Sequence, residues 1–279
     1  MSSSSIPNVL TIAGTDPSGG AGVLADLKAF SALGAYGCAV IAALTAQNTR
    51  AVSGVHTPPV DFLKRQIDTL FEDVRIDSVK LGMLGTADIV RTVADRLAHF
   101  KPAHVVLDPV MVAKSGDHLL AKSAVAMLKE ALMPQANMIT PNLPEAGVLL
   151  EQRAPESTKE MFRAAERLRD LLPTSSERWV LLKGGHLPGN ELLDLLFDGD
   201  RMIEMRTMRI DTPSTHGTGC TLSSAIAALL PQRSAQLQPV AAAVRDAQHY
   251  LQGAIAASGA LKVGTGHGPV HHFYRLWRA

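Results

Sequence analysis

Short apolar runs alternate along this chain with longer stretches in which apolar residues recur every three or four positions. The runs at 9–12, 38–44, 79–81, 105–107, 138–139 and 179–182 read as strands, and helical patterns at 21–33, 59–71, 87–100, 123–132 and 159–172 fill much of the space between them. Alternation of this kind predicts an α/β fold, a mostly parallel central sheet covered by helices on both faces. The rhythm changes once. Residues 192–197, the turn Asp198-Gly199-Asp200 and residues 202–208 read as a β-hairpin, which belongs at a sheet edge. Residues 240–251 and 252–261 read as long Ala-rich helix, and no internal repeat is present.

Composition narrows the picture. With 279 residues, 46% of them hydrophobic, the chain is long enough to bury one large core, and no linker interrupts it; residues 1–279 are expected to form a single domain with residues 1–6 as a loose tail. The first five residues carry neither a basic stretch nor an apolar core, so they do not read as a signal peptide. The net charge of +1 is spread along the chain, which argues against a nucleic-acid face or an anionic-membrane face. Two cysteines, Cys38 in an apolar run and Cys220 in a glycine-containing segment, give no disulfide framework and suit a reducing cytoplasm. The longest apolar runs fall well short of a membrane span.

Two glycine-containing segments carry the candidate chemistry. In Thr215-His216-Gly217-Thr218-Gly219-Cys220, which opens onto the small and apolar run 221–229, the glycines let consecutive amides turn toward one point. The unsatisfied N–H groups and positive dipole end of the following helix face the same point. That is an anion cradle, suited to a phosphate or to the charge on a phosphoryl group in transfer; taken alone it also reads as an ordinary glycine turn before a helix. At the other end of the chain, a strand breaks into Gly14-Thr15-Asp16-Pro17-Ser18-Gly19-Gly20-Ala21-Gly22 and then into a helix with Leu24, Leu27, Phe30 and Leu33 on one side. No Gly-Lys-Ser/Thr follows these glycines and the spacing is not G-x-G-x-x-G, so neither nucleotide motif applies. The glycines either admit a small ligand to the backbone or let the helix sit close on the sheet. Asp26, one turn into that helix, is placed to point its carboxylate back over the loop or, alternatively, into solvent.

In an open α/β sheet ligands bind beyond the carboxyl ends of the strands. Polar residues collect there: Gly14-Thr15-Asp16, Gln47-Asn48, Asp108, Asn142 with Glu145, and Lys183. Asn142-Leu143-Pro144-Glu145 also reads as a plain helix start with Asn as N-cap, and both uses are compatible. Lys183, leaving a strand into Gly184-Gly185, is either a phosphate-neutralising charge or a surface lysine.

Taken together, Ala13-Gly14-Thr15-Asp16-Pro17-Ser18-Gly19-Gly20-Ala21-Gly22 and His216-Gly217-Thr218-Gly219-Cys220-Thr221-Leu222-Ser223 resemble the hydroxymethylpyrimidine and phosphomethylpyrimidine kinases of thiamin synthesis, members of the ribokinase-like superfamily. The likeness continues in order through Ala46-Gln47-Asn48-Thr49, Lys80-Leu81-Gly82-Met83-Leu84, Leu107-Asp108-Pro109-Val110-Met111, Lys114-Ser115-Gly116, Thr140-Pro141-Asn142-Leu143-Pro144-Glu145, Lys183-Gly184-Gly185-His186 and Gly268-Pro269-Val270-His271-His272-Phe273. It spans essentially the whole chain.

The resemblance implies a ribokinase-like three-layer α/β/α kinase, cytoplasmic and homodimeric, that transfers the γ-phosphoryl of ATP, with Mg²⁺, to 4-amino-5-hydroxymethyl-2-methylpyrimidine and then to its monophosphate. It gives Gln47, whose planar amide matches an aminopyrimidine edge, to acceptor recognition. Asp26 near the hydroxymethyl group, Met83 against the ring and Gly14 join it there. Asn142, Lys183, Thr215 and Gly217 fall to the nucleotide. Asp108 and Glu145 are sufficient in type and number to hold Mg²⁺, Glu145 through water. Transfer falls to Lys183, Gly217, Thr218, Gly219 and Cys220. Ribokinase-like sugar kinases mostly have Asp where this chain has Cys220; a thiol at a helix N-terminus can serve as a weak base, or it can simply position the acceptor. A pyridoxal or pyridoxine kinase is the sister activity, and a non-catalytic pyrimidine- or nucleotide-binding regulator the alternative of another class. His271 and His272 lack a third ligand at metal spacing and are expected to be structural.

Overall fold

The computed structural model describes residues 5–111, 122–174 and 177–277. The chain runs β1 (Asn8–Gly14), α1 (Gly22–Ala32), β2 (Tyr36–Gln47), β3 (Val52–His56), α2 (Val60–Asp73), β4 (Ser78–Leu81), α3 (Ala87–Phe100) and β5 (Val105–Leu107). It continues through α4 (Lys122–Met127), whose last turns widen into a π-helical stretch at Leu128–Leu132, then β6 (Met138–Ile139), α5 (Leu143–Leu149), α6 (Thr158–Asp170) and β7 (Trp179–Leu182). The hairpin β8 (Glu191–Phe197) and β9 (Met202–Met208) and the helices α7 (Thr218–Arg233) and α8 (Pro239–Ala256) complete it.

The strands form one sheet in the order β3-β2-β1-β4-β5-β6-β7-β8-β9. From β2 to β7 every pairing is parallel, and the expected hairpin lies at one edge, with β8 antiparallel to both β7 and β9. The other edge differs from expectation, because β3 pairs antiparallel with β2. No apolar alternation announces β3: Ser53, Gly54, Val55 and His56 are all exposed, so the strand has no face to bury and is held by its backbone ladder.

Alternate strand residues feed two cores, as a period of two requires. Leu10, Ile12, Val79, Leu81, Val105 and Leu107 pack with Leu63 and Ile67 of α2, Ile89 and Val93 of α3, and Met161 and Leu168 of α6. Val9, Val106, Met138 and Leu181 face the other way, toward Ala29 and Phe30 of α1, Ile226 of α7 and Val244 and Tyr250 of α8. The three-layer α/β/α expectation is met. All residues from Thr221 to Leu230 of α7 are buried, which explains why that run is small and apolar. Such a helix packs against α1, α8, β4 and β5 at once, and its first turn is thereby fixed at the carboxyl edge of the sheet.

Of the tail expected over residues 1–6, residues 1–4 lie outside the described residues and Ser5 and Ile6 are exposed. Lys114-Ser115-Gly116 also lies outside the described residues. Among the described residues no helix is long and apolar enough to cross a membrane.

Candidate active site

Beyond the carboxyl ends of β1, β2, β5 and β7 lies a cavity of about 500 Å³. Its walls include Gly14, Gln47, Met83, Asp108, Asn142, Glu145, Lys183, Thr215, Gly217, Thr218, Gly219 and Cys220, all of them site residues expected from the sequence. Asp26 is the exception. The pocket also recruits Thr15, Asp16, Lys80 and His216, to which the sequence reading assigned no role.

The two glycine segments meet at this pocket and lock together. The Asp16 carboxylate accepts hydrogen bonds from Ser18 N (2.9 Å), Ser18 Oγ (2.7 Å), Ala21 N (2.9 Å) and His216 Nε2 (2.7 Å). Burial opposes its ionisation, but the hydrogen bonds from His216 and Ser18 outweigh it and hold the carboxyl below the usual carboxylate range. An Asp two residues before a Ser inside a glycine run is an Asx-turn signature, and this was the available clue to its role. Contact is close enough to require glycine. A Cβ on Gly217 would lie 1.7 Å from Gly20 O, and one on Gly20 would lie 2.4 Å from His216 Cδ2. Gly217 has φ 76°, the left-handed conformation, and caps the N-terminus of α7. The Thr218 hydroxyl donates to Thr215 O (3.2 Å), which tightens the turn.

Under the cradle sits a cluster of opposite charges. Asp108 is buried and accepts from Thr140 Oγ1 (3.2 Å), Lys183 Nζ (3.1 Å) and Ser223 Oγ (3.2 Å). Burial alone would raise its carboxyl, and the ammonium groups of Lys183 and Lys80 hold it low instead. Lys183 is correspondingly raised, since Asp108 and Glu145 outweigh the effect of burial. It is thus a largely enclosed cation and not a surface lysine: its side chain is only 14% exposed. A Cβ on Gly219 would fall 3.3 Å from Lys183 Nζ, so the missing side chain lets the ammonium approach the cradle amides.

Glu145 and Asn142 form a reciprocal cap on α5: Asn142 Oδ1 accepts from Glu145 N (2.9 Å) and Glu145 Oε2 from Asn142 N (2.8 Å). The helix-start reading of this segment therefore holds, and the same two side chains line the pocket. Burial pushes the Glu145 carboxyl up to about 7, with Asp108 adding to the rise against the opposing pull of Lys183.

At the other end of the pocket Gly14 N donates to Met83 O (3.0 Å), and a Cβ on Gly14 would meet Met83 Cε at 2.6 Å. The missing side chain leaves room for the Met83 thioether over the end of β1. Thr45 Oγ1 donates its one proton to Thr15 O (2.8 Å) and lies 3.3 Å from Gln47 Oε1.

One expectation changes, and one of two open readings loses support. Asp26 does not point back over the glycine loop; its carboxylate is fully buried and accepts from Thr11 Oγ1 (2.6 Å), Ser224 Oγ (2.6 Å) and Lys80 Nζ (2.9 Å to each oxygen). It faces inward because α1 packs on α7 and β1, and the ammonium of Lys80 on β4, with the hydroxyls of Thr11 and Ser224, compensates a buried charge in a way that the sequence spacing could not reveal. The Cys220 thiol is not lowered by its helix N-terminus: burial pushes it up to about 11, against the pull of Lys80. A thiol so placed is a poor base at neutral pH. His272 has the structural use expected, with Thr221 Oγ1 3.0 Å from its Nε2 and burial depressing the imidazole to about 3; His271 packs on Trp277.

Comparison with known proteins agrees with this geometry. The sequence profile of the phosphomethylpyrimidine kinase family matches residues 16–271. The chain belongs to that family. The kinase is 52% identical over 270 residues to the hydroxymethylpyrimidine/phosphomethylpyrimidine kinase of Escherichia coli, covering 97% of this chain and 98% of the relative. Among solved structures, an ADP complex of Bacillus subtilis pyridoxal kinase superposes with a TM-score of 0.86 at 34% identity, over 98% of this chain and 100% of the other. A phosphomethylpyrimidine kinase from Clostridium difficile superposes with a TM-score of 0.74 at 37% identity, over 87% of this chain and 98% of the other.

Proposed function

We propose that this kinase transfers the γ-phosphoryl of ATP first to the alcohol of 4-amino-5-hydroxymethyl-2-methylpyrimidine and then to the resulting monophosphate, giving the diphosphate used in thiamin synthesis. The observation that carries the reading is the 52% identity to the Escherichia coli enzyme across 97% of the chain. The pocket supports it, with an amide and a thioether at one end and buried opposite charges at the other.

The chemistry follows from the residues. Gln47 offers a donor and an acceptor on one plane to the aminopyrimidine edge, and Met83 packs on the ring held against Gly14. Asn142, Thr215 and Gly217 contact the nucleotide. Lys183 and the amides of Gly217, Thr218 and Gly219 neutralise charge on the phosphoryl in flight, the main demand of a loose transition state. Cys220, neutral at its raised pKa, positions the acceptor instead of deprotonating it.

The donor set fits a magnesium ion. Two carboxylates, Asp108 and Glu145, line one pocket, and the second is raised to about 7 partly by the first, a repulsion that a divalent cation relieves. Such an ion supplies charge neutralisation on the nucleotide phosphates. The reducing-compartment reading rests on the two free cysteines and supports a cytoplasmic enzyme; a homodimer is proposed on the resemblance alone.

The high TM-score to a pyridoxal kinase favours a second reading, phosphorylation of a hydroxymethylated pyridine. Fold likeness does not choose between two rings of similar shape, and the sequence identity favours the pyrimidine. A side-by-side assay on the pyrimidine alcohol, its monophosphate and pyridoxal decides. Turnover of both pyrimidines above pyridoxal is expected; turnover of pyridoxal alone overturns the proposal.

A further inference from the structure

Lys80 and Asp26 form a fully buried ion pair at the edge of the reaction centre. Lys80 belongs to β4, whose alternate residues Val79 and Leu81 enter the other core, so its own side chain turns toward α1 and α7. Two of its contacts go to the two oxygens of Asp26, each at 2.9 Å, yet the residue still forms part of the pocket floor. A Cβ on Gly82 would meet its ammonium at 2.9 Å, so glycine keeps that space clear.

The helices fix where this charge lies. Gly22 opens α1 and Cys220 lies in the first turn of α7, two helices that pack together. One turn further along both helices, Ser224 Oγ donates to Asp26 at 2.6 Å. Residues four apart share a helix face, so the pair lies directly inside Cys220. Its negative end is sealed by Thr11 and Ser224, and Lys80, itself fully buried, lies in the wall directly behind the pocket. A buried lysine beside one carboxylate could have been replaced by apolar packing at little loss of stability, so its retention on a pocket floor suggests use.

We propose that Lys80 is a fixed positive charge beneath the acceptor site, acting from behind the pocket wall on the acceptor oxygen in both phosphorylations, and that Asp26 keeps it charged. This rests on the pyrimidine kinase function proposed above. With a neutral Cys220, the alcohol needs a nearby charge to stabilise negative character on its oxygen as it attacks. The new oxygen–phosphorus bond forms, the bond between Pγ and the β,γ-bridging oxygen breaks, ADP leaves, and the hydroxyl proton passes to solvent. Lys80 neither gains nor loses a proton. For the monophosphate the same ammonium attracts an acceptor that is already anionic.

Two variants test this. Lys80→Met/Asp26→Asn removes both charges and retains an amide for Thr11 and Ser224. Expected are a kcat for the alcohol lower by roughly a hundredfold, a KM for the monophosphate higher by roughly tenfold, and an unchanged KM for ATP. Asp26→Asn alone keeps the lysine but removes its counter-charge. Burial then acts to lower its pKa, opposed by Asp108 beyond β5, while Cys220 on α7 adds to that opposition where its thiol ionises. Activity of this variant should fall at alkaline pH, where the freed ammonium deprotonates, while the unmodified enzyme keeps its activity there. The single variant carries the test if the double one does not fold. A folded double variant with unchanged acceptor kinetics, one in which ATP and acceptor kinetics decline equally, or an Asp26→Asn profile that matches the parent overturns the role. Unmodified enzyme that fails to phosphorylate either pyrimidine refutes the function itself, and the role with it; active parent with unmoved variants refutes only the pair.

Discussion

Gly217→Ala should disable catalysis through two backbone constraints. The added methyl lies 1.7 Å from Gly20 O, and real Cβ contacts do not go below 3.0 Å, so one glycine loop must retreat from the other by about 1.3 Å. The neighbour is a backbone carbonyl and cannot turn aside as a side chain does. In addition, φ 76° costs a non-glycine residue about 1–2 kcal/mol. For a chain of this size that strain is roughly a 2–8 °C fall in Tm, if the loop does not relax. Misplacement of catalytic amides by about 1 Å costs on the order of a hundredfold in rate. The assay is kcat/KM on the pyrimidine alcohol together with a thermal melt, with Gly259→Ala as control, since Gly259 has no neighbour within 4 Å and no positive φ. The control should behave as the parent. A Gly217→Ala protein with kcat/KM within about threefold of the parent would refute the interlocked-loop argument.

Gln47→Leu should raise the pyrimidine KM roughly ten- to a hundredfold, since a matched polar contact is worth about 1–3 kcal/mol, with the KM for ATP unmoved; steady-state titration of each substrate checks it. Lys183→Met should lower kcat more than it raises the KM for ATP, because its charge serves the transition state more than the ground state; equal effects would mark simple nucleotide binding. Glu145 has a folded pKa of about 7 against an ordinary 4.5, so the folded chain holds a proton that the unfolded chain has released. Its contribution to stability therefore declines as pH rises from the unfolded value through about 7. Thermal melts should show that slope without magnesium, a shallower slope with it and none from this residue in Glu145→Gln, which should also need more magnesium for activity. Cys220→Ser should reduce both phosphorylations by similar, modest factors; selective collapse of the alcohol reaction, measured separately from that of the monophosphate, would show that the thiolate is a base after all.

Periodicity along the chain was sufficient for the alternating strands and helices, the parallel sheet and the edge hairpin, because each rests on local spacing: two for strands, between three and four for helices. The carboxyl-edge residues were legible for a related reason, since a parallel sheet brings the residue after each strand to one side whatever the details of packing. Gly217 and Gly219 could be read as a cradle only in company with the other segments, because a glycine pair before a helix is by itself equally an ordinary turn. The edge strand β3 could not be read, for it buries no face. Tertiary packing alone decided the rest. Asp16 and His216 lie 200 positions apart and meet only because two loops interlock. The resemblance puts Asp26 near the acceptor, whereas α7 and β4 enclose it in an ion pair with the equally buried Lys80. Cys220 has the helix N-terminus that lowers a thiol, yet desolvation by the surrounding protein raises it. Desolvation depends on everything that surrounds a group, and no local pattern carries that information.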